Sequence, residues 1–268
     1  MRVFLGIPTV GDIPHEVYES HLHLAAEIAK HADLATSKVH NIFPHDMARL
    51  AIVEAAIGCD ADYIMWVDMD MFIPPNSFVW LLEAIQSPDL VKAGARLVTG
   101  HTYRRGYPYT NTWTIRVPNQ PNSNEDLFEV FSPPDAVPVQ ITSCGLACAL
   151  LDLRWAKDNL TEPWFYQGWI SLVNTEASSE AAISEQLNST PVMSLEERSK
   201  FVWEDGYFCS KIRNAGGTIF GVPKVRTGHL TDSSIIVDDS TAELLRRDYR
   251  RNGQPTKELQ RKFVTMPS

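Results

Sequence analysis

The sequence predicts an α/β protein, a single Rossmann-like domain with a mostly parallel central sheet flanked by helices. Val3–Ile7 and Tyr63–Val67 are short, continuous apolar runs, the pattern of strands buried on both faces of a parallel sheet. Segments of helical spacing lie between and after them. The 268 residues, 44% apolar and 21% charged, suffice for one large domain with at most a modest appendage.

The first strand, Val3–Ile7, leaves through Pro8-Thr9-Val10-Gly11. Pro14 then opens a helix whose apolar stripe is Val17, Leu22, Leu24, Ala25, Ile28 and Ala29. His15, His21, His23 and His31 lie on or near it without forming a metal-binding i, i+4 pair, and read as surface or half-buried. An extended piece around Ser37–Phe43 precedes a second helix, about Pro44 to Gly58, which carries Arg49. The strand Tyr63–Val67 runs directly into Asp68-Met69-Asp70, and Pro74-Pro75 ends it. Ser77–Ile85 reads as a helix and Leu90–Val98 as a strand.

Gly100–Thr114 gathers His101, Tyr103, Arg104, Arg105, Tyr107, Tyr109 and Trp113. Such a mixture suits stacking on a sugar, base or acceptor ring, and equally the half-buried face of an edge strand. Asn119–Asp126 is a polar loop, and Val137–Leu151 regains strand character around Gly145. Trp164–Trp169 suits either an acceptor wall or a hydrophobic plug. Asn174–Leu195 is polar and aperiodic, as expected of an insertion or lid within a segment spanning about 170–198. Tyr207–Asn214 is helical, ended by Gly216-Gly217, and Thr218–Val222 is a strand before Pro223. Thr241–Arg251 is a charged helix, and Gln254–Ser268 reads as a frayed tail.

Two stretches carry chemistry. Asp68 and Asp70 stand one residue apart at the carboxyl end of a buried strand, where unpaired carboxylates are costly. A divalent cation with a preference for oxygen ligands, Mg²⁺ or Mn²⁺, resolves that cost, and capping of the following turn is the competing reading, which explains one carboxylate and not the pair. The second stretch is Trp203-Glu204-Asp205-Gly206, at the start of a helix. A carboxylate there suits a general base, and it equally suits a helix cap.

The Asp68-Met69-Asp70 stretch resembles the Asp-x-Asp motif of GT-A glycosyltransferases. The later order of aromatic-Glu-Asp, helix, Ala-Gly-Gly, strand, Pro and His229 is similar to inverting enzymes of family 2. That resemblance spans roughly residues 3–230 and is weakest between 100 and 200. It implies a GT-A domain over 1–235, with a nucleotide-binding half to residue 100 and an acceptor half beyond, followed by a C-terminal helix and tail over 236–268. It further implies a UDP- or GDP-sugar donor, a metal on Asp68, Asp70 and His229, and donor contacts from Pro8, Thr9, Arg49, Asp68 and Gly145. Asp205 is then the general base that activates an acceptor hydroxyl, and Glu204 orients the acceptor or its loop. A retaining GT-A transferase, a nucleotidyltransferase-like domain and a non-catalytic nucleotide-sugar-binding domain remain alternatives at this stage.

The net charge of -9, from 33 acidic and 24 basic residues, disfavours a nucleic-acid partner without excluding one. Cys59, Cys144, Cys148 and Cys209 lack Cys-x-x-Cys spacing and read as reduced, mostly buried thiols, consistent with the cytoplasm. No run approaches the roughly 20 apolar residues of a membrane-spanning helix.

Overall fold

A computed structural model describes residues 1–9, 11–41, 45–106, 109–116, 127–129, 135–171, 199–231, 236–239 and 241–252. The insertion expected at 174–195, the loop 119–126 and the tail 254–268 lie outside them. The first half runs β1 (Arg2–Thr9), α1 (His15–His31), β2 (Asp33–Asn41), α2 (His45–Gly58), β3 (Tyr63–Val67), β4 (Met71–Phe72), α3 (Ser77–Gln86), α4 (Pro88–Lys92) and β5 (Ala95–His101). Short strands β6 (Thr114–Arg116), β7 (Leu127–Glu129) and β8 (Val139–Ile141) follow, then β9 (Cys148–Asp152), α5 (Leu153–Asn159) and β10 (Gly168–Ser171). The chain continues through β11 (Ser199–Val202), α6 (Glu204–Asn214), β12 (Thr218–Arg226), β13 (Gly228–Leu230), β14 (Ile236–Val237) and α7 (Ala242–Asn252).

Seven strands form the central sheet in the order β2-β1-β3-β9-β5-β12-β8. β1 runs parallel to β2 and β3, and β5 parallel to β12, while β9 is antiparallel to both β3 and β5, as β8 is to β12. The sheet is therefore mixed and mostly parallel, the α/β architecture that the sequence predicts.

Side-chain alternation divides two cores. Phe4, Ile64 and Trp66 pack with Ile52, Val53 and Ala56 of α2 and with Phe208 and Ile212 of α6. Val3, Leu5, Ile7, Met65 and Val67 join Leu24, Ile28, Phe78 and Leu81 in the other core. Burying each such side chain contributes about 1.5–3 kcal/mol, which is why these runs tolerate no polar residue on either face. Gly6 lets α2 settle close to β1, because a Cβ there would lie 2.4 Å from Ile52 Cγ2.

Several boundaries differ from the sequence reading. β1 continues through Pro8 and Thr9, because both still pair with β2. On α1 the buried stripe is Val17, Leu24 and Ile28, while Leu22 and Ala29 are exposed. His21 is buried rather than superficial, and Nε2–H donates to the Met71 carbonyl at 2.8 Å. Leu90–Val98 is not one strand. Ser87 caps α4 by accepting from the Leu90 N–H, and Gly94, at φ 77, turns the chain into β5. Val137–Leu151 divides into β8 and β9, and α6 begins at Glu204, three residues early. β12 passes through Pro223 because its register shifts between Val222 and Arg226, where no neighbour needs the missing N–H.

Five residues of the aromatic clusters turn inward, while Tyr107 and the Trp169 side chain lie outside what the structure describes. Trp113 is fully buried with its Nε1–H donating to the Gly100 carbonyl, and Tyr103 and Tyr109 pack with Leu245 of α7. Trp164 and Phe165 are buried too, and Phe165 stacks on Phe208 at 4.6 Å, so these two residues plug the core.

Candidate active site

The carboxyl ends of β1, β3, β5 and β12 open on one edge of the sheet, where open α/β folds place their ligands. Asp68 follows β3, and its N–H donates to the Ala147 carbonyl at 3.1 Å. The chain then turns, Met71 N–H donating to the Asp68 carbonyl, and enters β4. β4 pairs with β13 so that His229 faces Met71, and the Leu230 N–H donates to the Asp70 carbonyl at 2.8 Å. This register brings together two residues 159 positions apart: His229 Nε2 lies 3.1 Å from Asp70 Oδ2. His229 Nδ1 lies 2.6 Å from the Tyr103 carbonyl. A carbonyl only accepts, so Nδ1 carries a proton, and Nε2 is the nitrogen presented to Asp70. Burial alone would lower the His229 pKa, but the Asp70 carboxylate outweighs it and the net shift is upward. Burial likewise opposes ionisation of Asp70, yet His229 and Arg105 hold it below its ordinary value.

Behind Asp68 lies Arg49, its side chain only 2% exposed. Nη2 donates to Asp68 Oδ1 at 3.1 Å and lies 3.5 Å from Asp205 Oδ1, while Nε is 3.6 Å from Glu204 Oε1. One guanidinium thus faces three carboxylates. Burial by itself would lower the Arg49 pKa; Asp68, Asp205 and Glu204 outweigh it, and the shift is upward. Arg49 lies on the same stripe as Ile52, Val53 and Ala56, at i+3, i+4 and i+7, and is carried inward with them.

Glu204 and Asp205 occupy the first turn of α6, where the helix dipole favours negative charge. Neither caps it: the N-cap is Trp203, without a side-chain hydrogen bond. Asp205 instead accepts from the Leu146 N–H through Oδ2 at 3.3 Å, while Oδ1 is buried without a hydrogen bond. Burial raises the Asp205 pKa well above the usual carboxylate range, Arg49 opposing the rise and Glu204 and Asp68 adding to it.

A cleft of about 350 Å³ opens on these groups, lined by Asp68, Gly145, Ala147, Asp205 and His229 and by the turn Tyr103–Gly106. Gly145 borders the cleft with no crowding behind it, since a Cβ would meet Thr112 at an ordinary 3.4 Å. Pro8 and Thr9 end β1 on the same sheet edge but do not line the cleft, and Thr9 Oγ1 is buried without a partner. The sequence reading did not single out the Tyr103 carbonyl or the pairing of Arg105 Nη1 with Asp70 Oδ2 at 3.4 Å, because both depend on register between distant strands.

Of the three residues nominated as metal ligands, Asp70 and His229 meet, whereas Asp68 Oδ1 is taken by Arg49. Among the described residues no group of three His, Cys, Asp or Glu is gathered as a metal site. The Asp70–His229 pair nevertheless fits a divalent ion chemically. One carboxylate oxygen and one imidazole nitrogen converge, and a carbonyl holds the ring through its other nitrogen, as is usual for metal-binding histidines.

No helix among the described residues is long and apolar enough to cross a membrane. No family model and no curated protein matches the sequence. Among solved structures, A197 from STIV aligns over 89% of this chain and 94% of its own, at 15% identity and a TM-score of 0.50. A CMP:2-keto-3-deoxy-manno-octonic acid synthetase complexed with CTP covers 82% of this chain and 89% of its own, at 12% identity and a TM-score of 0.38. A glycosyltransferase involved in the glycosylation of the major capsid of PBCV-1 covers 82% and 92%, at 12% identity and a TM-score of 0.30. What the chain shares with the first of these is the fold, extending over most of both chains.

Proposed function

We propose that this chain is a metal-dependent glycosyltransferase that moves a sugar from a UDP- or GDP-sugar to an acceptor hydroxyl, inverting the anomeric centre. The observation that supports this best is that Asp68, Asp205 and His229, delivered by three separate elements, line one cleft at the carboxyl edge of the sheet. Asp205 takes the acceptor proton. Burial raises its pKa, which makes it a stronger base than an ordinary carboxylate. The Leu146 N–H and Arg49 hold the carboxyl in place, and Glu204 steadies Arg49 from the other side. Asp70 and His229, with Asp68 beside them, hold the cation. A divalent ion there supplies Lewis-acid neutralisation of the departing nucleoside diphosphate.

The test is sugar transfer from a panel of UDP- and GDP-sugars in Mn²⁺, read as acceptor-dependent release of nucleoside diphosphate and as product anomeric configuration by NMR. Retention of configuration would remove the inverting mechanism. Release of pyrophosphate from a nucleoside triphosphate and a sugar phosphate, with no transfer from any nucleotide-sugar, would assign the cleft to nucleotidyl transfer.

A further inference from the structure

Arg105 and His229 share one oxygen. Arg105 Nη1 lies 3.4 Å from Asp70 Oδ2, and His229 Nε2 lies 3.1 Å from the same atom. A cation held by Asp70 and His229 competes with the guanidinium for that oxygen. The two partners differ in freedom. His229 is anchored at Nδ1 by the Tyr103 carbonyl, whereas the Arg105 side chain is 60% exposed. With the guanidinium mostly in solvent and 3.4 Å from the oxygen, this pair holds Arg105 less firmly than the Tyr103 carbonyl holds His229.

The cleft also contains few positive charges. Arg49 is buried and faces three carboxylates, so it has no charge to spare for a ligand. Among the residues lining the cleft, Arg104 and Arg105 are the permanent cations, set side by side on one turn. The turn itself is held, Arg104 N–H donating to the Thr110 carbonyl and Tyr109 N–H to that of Gly106, both at 2.8 Å. These bonds tie down the backbone on either side of Arg105, while its side chain reaches Asp70 from a mostly exposed position.

We propose that Arg105 is the diphosphate-binding residue of this cleft, held on Asp70 until a divalent cation takes its place. This rests on the glycosyltransferase reading above. Cation binding frees the guanidinium at the point where the phosphates arrive, and a guanidinium binds phosphate oxygens through two parallel N–H bonds. Metal and nucleotide then bind cooperatively beyond direct contact between them.

Calorimetry on Arg105→Ala and Arg105→Lys tests this, with Mn²⁺ alone and with UDP, GDP and inorganic pyrophosphate in saturating Mn²⁺. Arg105→Ala is expected to bind Mn²⁺ alone at least as tightly as the parent, having lost a competitor. It is expected to bind the diphosphates about tenfold more weakly or worse, with Arg105→Lys in between. Diphosphate affinity within about twofold of the parent overturns the inference, since that difference is too small for a charged hydrogen bond. Weaker Mn²⁺ binding by Arg105→Ala also overturns it, making Arg105 a support of Asp70 and not its competitor. A parent protein that binds Mn²⁺ but no diphosphate refutes the glycosyltransferase reading and this inference together, a result distinct from either of the others.

Discussion

Arg49 on α2 and Asp205 on α6 meet at 3.5 Å although 156 residues separate them, and neither is fully matched by the other. Arg49 divides its charge among Asp68, Glu204 and Asp205, so the cluster keeps a surplus of negative charge. That surplus faces the cleft through Asp68 and Asp205, and it favours a cationic ligand.

Removing Arg49 exposes the cost of the cluster. Arg49→Met leaves three closely spaced carboxylates without their buried cation. It is expected to lower stability by about 3–5 kcal/mol in urea denaturation, the usual consequence of deleting one partner from a buried charge network. A change within about 0.5 kcal/mol, ordinary for a surface residue, would show that the guanidinium is not the centre of the cluster.

His101 gives the fold a pH dependence. It is fully buried between Tyr103 and Trp113, and neither ring nitrogen has a hydrogen bond. Burial, with Arg226 nearby, lowers its pKa from 6.5 to about 4. The folded pKa lies below the unfolded one, so this contribution is complete above pH 6.5 and is lost as the pH falls toward 4. Between pH 7 and 4.5 the parent should lose about 2 kcal/mol more than His101→Phe. Equal losses in the two proteins, measured by urea denaturation at both pH values, would refute it.

The metal reading makes its own demand. Nucleoside diphosphate affinity should depend on Mn²⁺, and Asp70→Ala should abolish it, because Asp70 is the carboxylate that the β4–β13 pairing sets against His229. Equal UDP or GDP affinity in EDTA and in Mn²⁺ would sink the proposal.

What the sequence made legible is what local pattern encodes. The runs Val3–Ile7 and Tyr63–Val67, the acidic residues at the end of β3, and the order of α6, Gly216-Gly217 and β12 all follow from short-range periodicity and turn chemistry. Properties set by pairing across the sheet were not legible. The antiparallel direction of β9 leaves no mark on its own apolar residues. His21 was misjudged because polarity alone suggests exposure, whereas the turn after Asp70 needs its Met71 carbonyl satisfied from α1. Ser20 on the same helix turn accepts the Ile73 N–H at 3.2 Å, so two polar residues on a buried face hold the acidic loop. The aromatic segments 103–113 and 164–165 were ambiguous because stacking on a ligand and packing in a core call for the same side chains.

The last prediction separates chemistry from scaffolding at Asp205. Asp205→Asn keeps the shape and can still accept the Leu146 N–H, but it cannot take a proton from an acceptor. Asp205 does not cap α6, so a loss on this substitution is not the loss of a cap. If Asp205 is the general base, transfer falls by roughly 10²–10⁴-fold while donor affinity in Mn²⁺ stays near that of the parent. The amide also presents no negative charge to Arg49, and some stability is lost; urea denaturation measures that cost separately. A purely structural role predicts reduced stability with near-parental transfer per folded molecule. Loss of donor affinity would instead mark Asp205 as part of the donor or metal site. Single-turnover transfer, donor titration and denaturation on this one variant distinguish the three, and near-parental transfer removes Asp205 from the reaction.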